Sequence, residues 1–586
     1  MKHLSLLLVL ILFISCANDD NEVNQQQMLK EKYSLNVLLN PSSSGIVNIS
    51  SGEYEEGTEV EIIVTPNTDF EFKDWTGDIS GNQNPLKVIM NSNKSITGNL
   101  RQLEIQSIEI INPIDTLVIS RKHKFEVIGI NSKGKNVDLT SQVVLKVNDD
   151  KITLLDDNEF TVGKSGDTSI TVIYDNLELT HTFYANYFEE VLDEQGYYLN
   201  NNDNSNINVP IVIINYHPTL DGFNVDPRRI IDDYFIKDRF YDYYNLDRNI
   251  CSNTNSNNPI CKIGTLEMYK IRSKENIMFT KFGIEEGSKF RGYNNNSSEK
   301  SINVQIVKYY NFYQLNTKVY SGREVPQPDY QEIFDLINLE SLVNENGVKE
   351  VWFSFSPLST EYPSIQQGLI SSEFLLNMPE SNMSSSLGDV SNSIRSQSDL
   401  PVYENEYVVY GLNLDRGPSE SLHNRGHQIE SQFRFIEKEK RFGEELFWNK
   451  FVGVDESGKP LGRNGMTHFP PNTNVDYDYC NENLVESDIQ NWLPEGGEKD
   501  LVSCVTWTGI QYDYPFNSIF WGKDNKIDNI SKDSGYKWFI YWFQSIPGQN
   551  NNISYEKDGS EYKLTNWWNL YYNWNESLEN NKTLWE

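Results

Sequence analysis

The chain has 586 residues, enough for three or four domains of roughly 150 residues each, and its 38% hydrophobic and 12% aromatic content is typical of a globular protein. Its 50 lysines and arginines are outnumbered by 84 aspartates and glutamates, and the formal net charge of -34 opposes contact with nucleic-acid phosphates and anionic lipid head groups. We therefore exclude nucleic-acid binding, and we exclude a polytopic membrane protein because only the N-terminus is apolar enough to meet a bilayer.

Residues 1–15 have the pattern of a signal peptide. A short cationic start precedes the apolar run Leu4–Ile14, which has the length of a signal-peptide hydrophobic region and is too short to span a bilayer. At its end, Phe13-Ile14-Ser15-Cys16 resembles the lipobox of bacterial lipoproteins, although phenylalanine stands where leucine is usual. The resemblance implies a lipid anchor at Cys16, and the acidic residues 17–21 resemble the export signal of surface-displayed outer-membrane lipoproteins. Ordinary secretion without lipidation is the alternative.

The number of cysteines also favours an exported protein. Of the five cysteines, lipidation of one leaves four, which allow three pairings: Cys251, Cys261, Cys480 and Cys504. We expect the disulfides Cys251–Cys261 and Cys480–Cys504, because each would close a loop in an oxidising compartment. A thiolate metal site is the alternative, but no Cys-x-x-Cys spacing supports it.

A tether and a small all-β module are predicted next. Residues 16–32 are polar and are expected to be a flexible tether, whereas residues 33–101 alternate short β-rich runs with turn clusters. The second segment resembles the divergent InlB-type B-repeat at Gly45, Tyr54, Gly57, Pro66, Phe70, Phe72, Trp75, Gly77 and Asn84-Pro85. The resemblance implies a spacer or adhesive unit and no catalytic residue.

Residues 102–186 predict a second all-β module. Their short strand-like runs and the segment DLTSQV resemble a bacterial Ig-like β-sandwich. We interpret His123 and His181 in this segment as strand or surface histidines rather than metal ligands. An Asn-rich linker is predicted at 187–208, so the tether and both modules would hold a larger domain away from the cell surface.

Residues 209–586 predict an α/β domain with a mostly parallel sheet. Apolar runs at 209–216, 302–313, 348–357 and 406–414 alternate with helical patterns at 227–245 and 328–347. The expected protein is therefore multidomain, with two small all-β modules followed by this domain. Ligands bind beyond the carboxyl ends of such strands, and these ends carry His217, Ser356, Glu361 and Asp415.

The segment PSESLHNRGHQIESQFRFI, residues 418–436, predicts a helix with two distinct faces. At about 100° per residue, four groups fall within an arc of about 80°: Glu420, His423, His427 and Glu430. A separate apolar stripe is formed by Leu422, Ile429, Phe433 and Ile436. Histidines four residues apart on a helix can place two nitrogens on one metal ion, although a structural polar network is the alternative. Gly426 lies between the faces, where a missing side chain would admit a neighbour.

A third metal ligand is available in the loop Thr467–Asn472, where prolines restrict His468. Three histidines with one open position suit catalytic zinc, so we predict a zinc site at His423, His427 and His468. A zincin is excluded, since that motif needs glutamate directly after the first histidine and position 424 is asparagine.

Carboxylates around this site have several expected roles. Glu420 and Glu430 are candidates for the general base, a further ligand or a support of the histidines. Asp415 and Asp476 are candidates for holding the imidazoles, and Asp476 with Asp478 could alternatively bind calcium.

The pattern E-x-x-H-x-x-G-H-x-x-E, the later THFPPN and DYDY, and a Trp-rich end resemble an uncharacterised group of secreted bacterial proteins, which implies one site but no activity. Ten of the 12 tryptophans lie from Trp448 onward, where they could stack on sugars or simply pack the core. We favour a cell-surface lipoprotein that is an extracellular metal-dependent hydrolase of peptide or glycan. One alternative is a non-enzymatic adhesin or glycan-binding lipoprotein. Another is a metal-independent enzyme with Glu361 and Glu420 as paired acids.

Overall fold

The computed structural model describes residues 30–119, 121–191, 207–217, 266–292, 299–314, 317–318, 327–355, 378, 380–391, 399–414, 417–438, 446–454, 462–512 and 534–586. Several predictions fall on residues outside these ranges. They concern the lipidation site Cys16, the pair Cys251–Cys261, the candidate site residues Glu361 and Asp415, and the helix predicted at 227–245.

The chain divides into two compact units. The first comprises residues 1–111, 126–143 and 174–179, and the second comprises residues 112–125, 144–173 and 180–586.

The first unit is built from short antiparallel and parallel strands. Its largest sheet has four strands, in the order Ser51–Glu55, Lys32–Asn40, Lys94–Gln102 and Phe70–Gly77. Two further pairs join Gly45–Val47 to Val64–Pro66 and Glu59–Ile62 to Leu86–Ile89, and a three-stranded sheet joins Asn136–Asp138, Val127–Asn131 and Ile105–Ile110. Side chains alternate between solvent and core along these strands, as a half-buried sheet requires. In the four-stranded sheet and the two strand pairs, the inward-facing residues form one hydrophobic cluster that includes the buried indole of Trp75.

The second unit begins with two small sheets. One has four strands in the order Thr116–Val118, Leu177–Asn186, Gly166–Tyr174 and Val144–Val147, and the other has three in the order Lys122–Lys124, Glu159–Val162 and Ile152–Leu154. His123 and His181 lie here, each within hydrogen-bond distance of a backbone carbonyl oxygen, at 3.1 Å and 3.0 Å respectively. Both rings also stand beside phenylalanine rings.

A six-stranded mixed sheet organises the rest of the second unit. In chain order its strands are β1 (Phe188–Glu190), β2 (Ile207–Tyr216), β3 (Ile302–Phe312), β4 (Glu350–Phe355), β5 (Ser381–Ser384) and β6 (Tyr407–Asn413). Their spatial order is β1-β3-β2-β4-β6-β5. The pairs β3–β2, β2–β4 and β4–β6 are parallel, as predicted.

The two edge strands run antiparallel to their neighbours, so the expectation of a mostly parallel sheet is only partly confirmed. Strand β1 lies in the predicted Asn-rich linker, and β5 lies in a Ser-rich stretch for which no strand was predicted. Central strands are buried on both faces and therefore appear as continuous apolar runs, such as Ile211–Ile214. Short polar edge strands lack that pattern, which is why the sequence did not show them.

Helices and short hairpins cover the sheet. The helices are α1 (Leu266–Gly287), α2 (Tyr330–Leu336), α3 (Leu339–Asn344), α4 (Pro418–Lys438), α5 (Cys504–Thr508), α6 (Ser534–Phe543), α7 (Trp567–Tyr572) and α8 (Trp574–Glu579), with a π-helical turn at Leu446–Val452 and a 3-10 turn at Asp156–Asn158. Two-stranded pairs join Thr317–Lys318 to Gln327–Pro328, Val485–Ser487 to Asp500–Val502, and Ser554–Lys557 to Ser560–Lys563. Within the described ranges, none of the helices is long and apolar enough to cross a membrane.

Two helices differ from the sequence prediction. The helix expected over 328–347 is split into α2 and α3, because Asn338 adopts a left-handed backbone with φ of 52°. Helix α1 was not predicted, since it has no clean apolar stripe. Its buried Lys281 and Glu285 pair with each other, so charged residues occupy positions that face the core.

The tryptophan-rich C-terminal region is mainly core. Seven of its indoles are at most 1% exposed: Trp492, Trp507, Trp538, Trp542, Trp567, Trp568 and Trp574. They pack in one hydrophobic cluster with the apolar stripe of α4, which includes Leu422, Ile429 and Phe433. These seven rings are therefore not available to stack on sugars.

Candidate metal centre

Helix α4 presents His423 and His427 on one buried face, one turn apart. The two residues are 2% and 9% exposed. Their neighbours fix the helix against the sheet: the Asn424 amide donates to the carbonyl oxygen of Gly411 on β6, and Arg425 donates to both carboxylate oxygens of Glu350 on β4. Because these two anchored residues lie between His423 and His427, the turn that carries both imidazoles has little freedom to move.

The third histidine arrives on a loop that packs closely against α4. A Cβ at Gly426 would lie only 2.6 Å from Thr467 Oγ1, so the absence of a side chain there permits the approach. The Thr467 amide donates to Glu430 Oε1 at 2.7 Å, and the Tyr479 hydroxyl donates to the Thr467 carbonyl at 3.0 Å. These contacts place His468 beside the helix.

The three imidazoles converge through their Nε2 atoms. His427 Nε2 lies 2.8 Å from His468 Nε2 and 3.2 Å from His423 Nε2. All three ligand atoms lie within 4.8 Å of one another. A tetrahedral zinc ion with bonds of about 2.0–2.1 Å places its nitrogens about 3.3 Å apart, so the arrangement has the dimensions of a zinc site.

Each outer nitrogen of these rings faces an oxygen atom. Nδ1 of His427 lies 3.1 Å from Glu430 Oε2, and Nδ1 of His468 lies 2.8 Å from Asp476 Oδ1. Nδ1 of His423 lies 3.3 Å from the side-chain oxygen of Asn424, whose amide nitrogen is already engaged as a donor. An oxygen at each Nδ1 favours the tautomer that carries its proton there, and in that tautomer the Nε2 atoms of the three rings face a common point. Two nitrogen lone pairs at this separation repel each other unless a proton or a metal ion lies between them.

The local charges are mainly negative. Burial disfavours protonation of His427, but its hydrogen bond to Glu430 and the fields of Glu430, Glu380 and Glu420 raise its pKa above the ordinary value. Burial raises the pKa of Tyr479 above the ordinary value of a tyrosine, so its hydroxyl stays neutral and can donate to the loop backbone.

Two further carboxylates lie beside the histidines. Glu380, Glu420 and His423 form a second group whose ligand atoms lie within 4.8 Å of one another, and Glu380 Oε2 is 3.9 Å from His427 Nε2. Glu420 lies on α4 with His423 and His427, on the helix face where the sequence predicted it. Glu380 was missed, since it precedes β5 in a Ser-rich segment without a recognisable period.

Solvent reaches the centre from the side of the loop. His468 is 24% exposed in its side chain, and Tyr477 is 48% exposed with its ring centroid 4.4 Å from that of His468. Tyr477 has a left-handed backbone with φ of 59°, and its amide donates to the His468 carbonyl. Asp476, which precedes it, is thereby turned towards His468.

The remaining predicted residues have different surroundings. Asp478 accepts hydrogen bonds from Thr473 and Asn481 at 3.2 Å and 2.7 Å, within its own loop. Cys480 and Cys504 are free thiols with their Sγ atoms 2.8 Å apart, so the structure does not contain the disulfide predicted between them. The structure therefore brings together His423, His427, His468, Glu420, Glu430 and Asp476 in one cluster, to which it adds Glu380.

Comparison with known proteins identifies one segment. Residues 35–102 match the family model of the divergent InlB B-repeat domain, which confirms the resemblance expected for residues 33–101. This match fits a bacterial cell-surface protein. No curated protein matches the chain.

Among solved structures, domains 4 and 5 of the S-layer protein SbsC are 12% identical, with 23% of this chain and 85% of that chain covered at a TM-score of 0.14. Domains 4–9 of the same protein are 12% identical over 30% of this chain and 25% of that chain, with a TM-score of 0.14. Its N-terminal part is 8% identical over 23% and 30%, with a TM-score of 0.13.

Proposed function

We propose that the chain is a cell-surface zinc-dependent hydrolase that acts on extracellular peptide or glycan. The observation that carries this proposal is the convergence of three Nε2 atoms whose rings each face an oxygen at Nδ1. Structural zinc sites are closed by four protein ligands, whereas catalytic sites use three ligands and leave one position for water. Three histidines with access from solvent match the catalytic type.

The surrounding residues divide the work of such a reaction. His423, His427 and His468 would hold zinc, which lowers the pKa of a bound water towards neutrality. Glu430 and Asp476 would orient His427 and His468 through their outer nitrogens, so that each Nε2 is turned towards the metal. The carboxylates of Glu420 and Glu380 are near enough to the ligand atoms to accept the proton of that water.

The N-terminal features support display outside the cell. The signal-peptide pattern and the lipobox-like segment predict a lipid anchor at Cys16 in the outer membrane. The B-repeat domain at residues 35–102 would act as a spacer that carries the metal centre away from the membrane surface. Such a location requires a substrate that is available outside the cell.

The metal content of the purified chain tests this proposal. Mass spectrometry of the full chain should find about one zinc per chain, and His427→Gln should lose it. The matched control is His181→Gln, which removes a histidine from a β-sheet and should keep the zinc.

Activity is tested next on peptide and glycan libraries, and a chelator should abolish hydrolysis that added zinc restores. A chain that binds no zinc in either form would contradict the proposal and would leave a buried polar network in a non-enzymatic adhesin or glycan-binding protein.

A further inference from the structure

Two carboxylates border the same side of the histidine cluster. Glu380 comes from the residue before β5 and Glu420 from the first turn of α4, and their oxygens lie within 4.8 Å of each other and of a His423 nitrogen. Both are half-buried, and the side chain of Glu380 is 34% exposed. Both carboxylates therefore lie beside the point that the three Nε2 atoms face, and their charges act on any group that binds there.

Around the centre, negative charges outnumber positive ones even when a divalent ion is bound. Glu380, Glu420, Glu430 and Asp476 supply four negative charges against the two positive charges of zinc. Among the described residues, the charged side chains with the strongest electrostatic effect on His427 are carboxylates: Glu430, Glu380 and Glu420. The whole chain, with these four carboxylates included, has a formal net charge of -34. An anionic group approaching the centre is thus repelled both locally and at long range.

We infer that Glu380 and Glu420 restrict the centre to substrates whose reacting group is uncharged, such as an amide or a glycosidic bond, and exclude phosphate and sulfate esters. This inference rests on the proposed function, because it requires a metal ion at the three histidines. The selection is by charge. An amide carbonyl or a glycosidic oxygen has no net charge for the two carboxylates to repel, whereas a phosphate ester has a negative charge that they repel.

The inference is tested with cobalt in place of zinc, since the visible absorption of cobalt reports ligands that enter its coordination sphere. Two probes are titrated into the cobalt-loaded full chain: inorganic phosphate as the anion and imidazole, in its neutral form, as an uncharged ligand that binds a metal ion through a nitrogen lone pair. The wild-type chain should bind imidazole in preference to phosphate. In Glu380→Gln and in Glu420→Gln, phosphate affinity should rise by about tenfold, while imidazole affinity changes by less than about threefold.

Glu482→Gln is the matched control, because it removes one exposed carboxylate from the region without touching the cluster. It should change phosphate affinity by less than about twofold. Two results would overturn the inference without affecting the proposed metal centre. One is a wild-type chain that binds cobalt but prefers phosphate, and the other is a pair of glutamine variants with unchanged phosphate affinity. A chain that takes up no cobalt would instead overturn the proposed function and this inference together.

Discussion

His427 Nε2 lies 2.8 Å from His468 Nε2, although the two residues are 41 positions apart in the chain. One ring stands on a long helix that is anchored to the sheet, and the other stands on a proline-restricted loop. The carboxylates of Glu430 and Asp476 contact the Nδ1 atoms of these rings, so both Nε2 atoms remain directed at each other. The proposed metal centre therefore depends on how closely the loop can approach the helix.

Gly426→Ala should weaken the centre by displacing the loop. The new Cβ would lie 2.6 Å from Thr467 Oγ1 and 3.1 Å from its Cγ2, so the loop that carries His468 must shift. We expect a loss of stability of about 1–3 kcal/mol and a fall in zinc affinity, measured by urea unfolding and competition with a chelator.

Thr467→Ala combined with Gly426→Ala should restore much of both losses, since it removes the two clashing atoms. The control is Gly81→Ala, where a Cβ would meet nothing within 4 Å. Equal effects of the single and double variants would contradict this account of the packing.

Asp476→Asn should reduce zinc affinity without unfolding the chain. The Asp476 carboxylate holds His468 through its outer nitrogen at 2.8 Å, and loss of such a partner typically weakens metal binding about 10- to 100-fold. Chelator competition measures the change, and the exposed Glu482→Gln serves as the control. If Asp476→Asn bound zinc as tightly as the control, the orienting role of this carboxylate would be wrong.

Cys480 and Cys504 should form a disulfide when the chain is exposed to an oxidant. Their sulfurs are 2.8 Å apart across a separation of 24 residues, and a loop of this size stabilises the fold by about 3 kcal/mol when closed. Mass spectrometry of the non-reduced peptides should find the two joined with the loss of two hydrogens, and reduction should lower the midpoint of thermal unfolding. Thiol labelling of both residues in the oxidised chain would argue against the pair.

His217 should make the second unit less stable in mild acid. Complete burial lowers the pKa of this imidazole from 6.5 to about 3, with a smaller contribution from Lys270, so the ring is neutral in the fold and protonates readily only after unfolding. The neutral ring contributes its full stabilising effect above pH 6.5, and this effect is lost as the pH falls towards 3. At pH 5 the loss in the free energy of unfolding is about 2 kcal/mol.

The pH effect is measured by urea unfolding at pH 7 and pH 5. His217→Phe should show the smaller fall in midpoint, because it removes the group that gains a proton on unfolding. His181→Phe, at a half-buried histidine outside the sheet core, should keep the wild-type difference. An unchanged pH dependence in His217→Phe would show that other groups cause the acid sensitivity.

Several elements followed directly from local sequence patterns. The buried strands β2, β3, β4 and β6 appeared as apolar runs, and α4 appeared through its period and its start at Pro418. The edge strands β1 and β5 did not, because a strand paired on one side needs no apolar run. Glu380, beside β5, was missed for the same reason.

The amino-acid order by itself determined that His423 and His427 share one helix face with Glu420 and Glu430, because a helix turns by about 100° per residue whatever surrounds it. It also determined the match of residues 35–102 to a B-repeat domain, since that pattern is carried by residues within one short segment. Only the tertiary structure decided that His468, Asp476 and Glu380 meet those histidines. Their approach depends on a loop and an edge strand packing against α4, and packing between distant segments leaves no period in the chain.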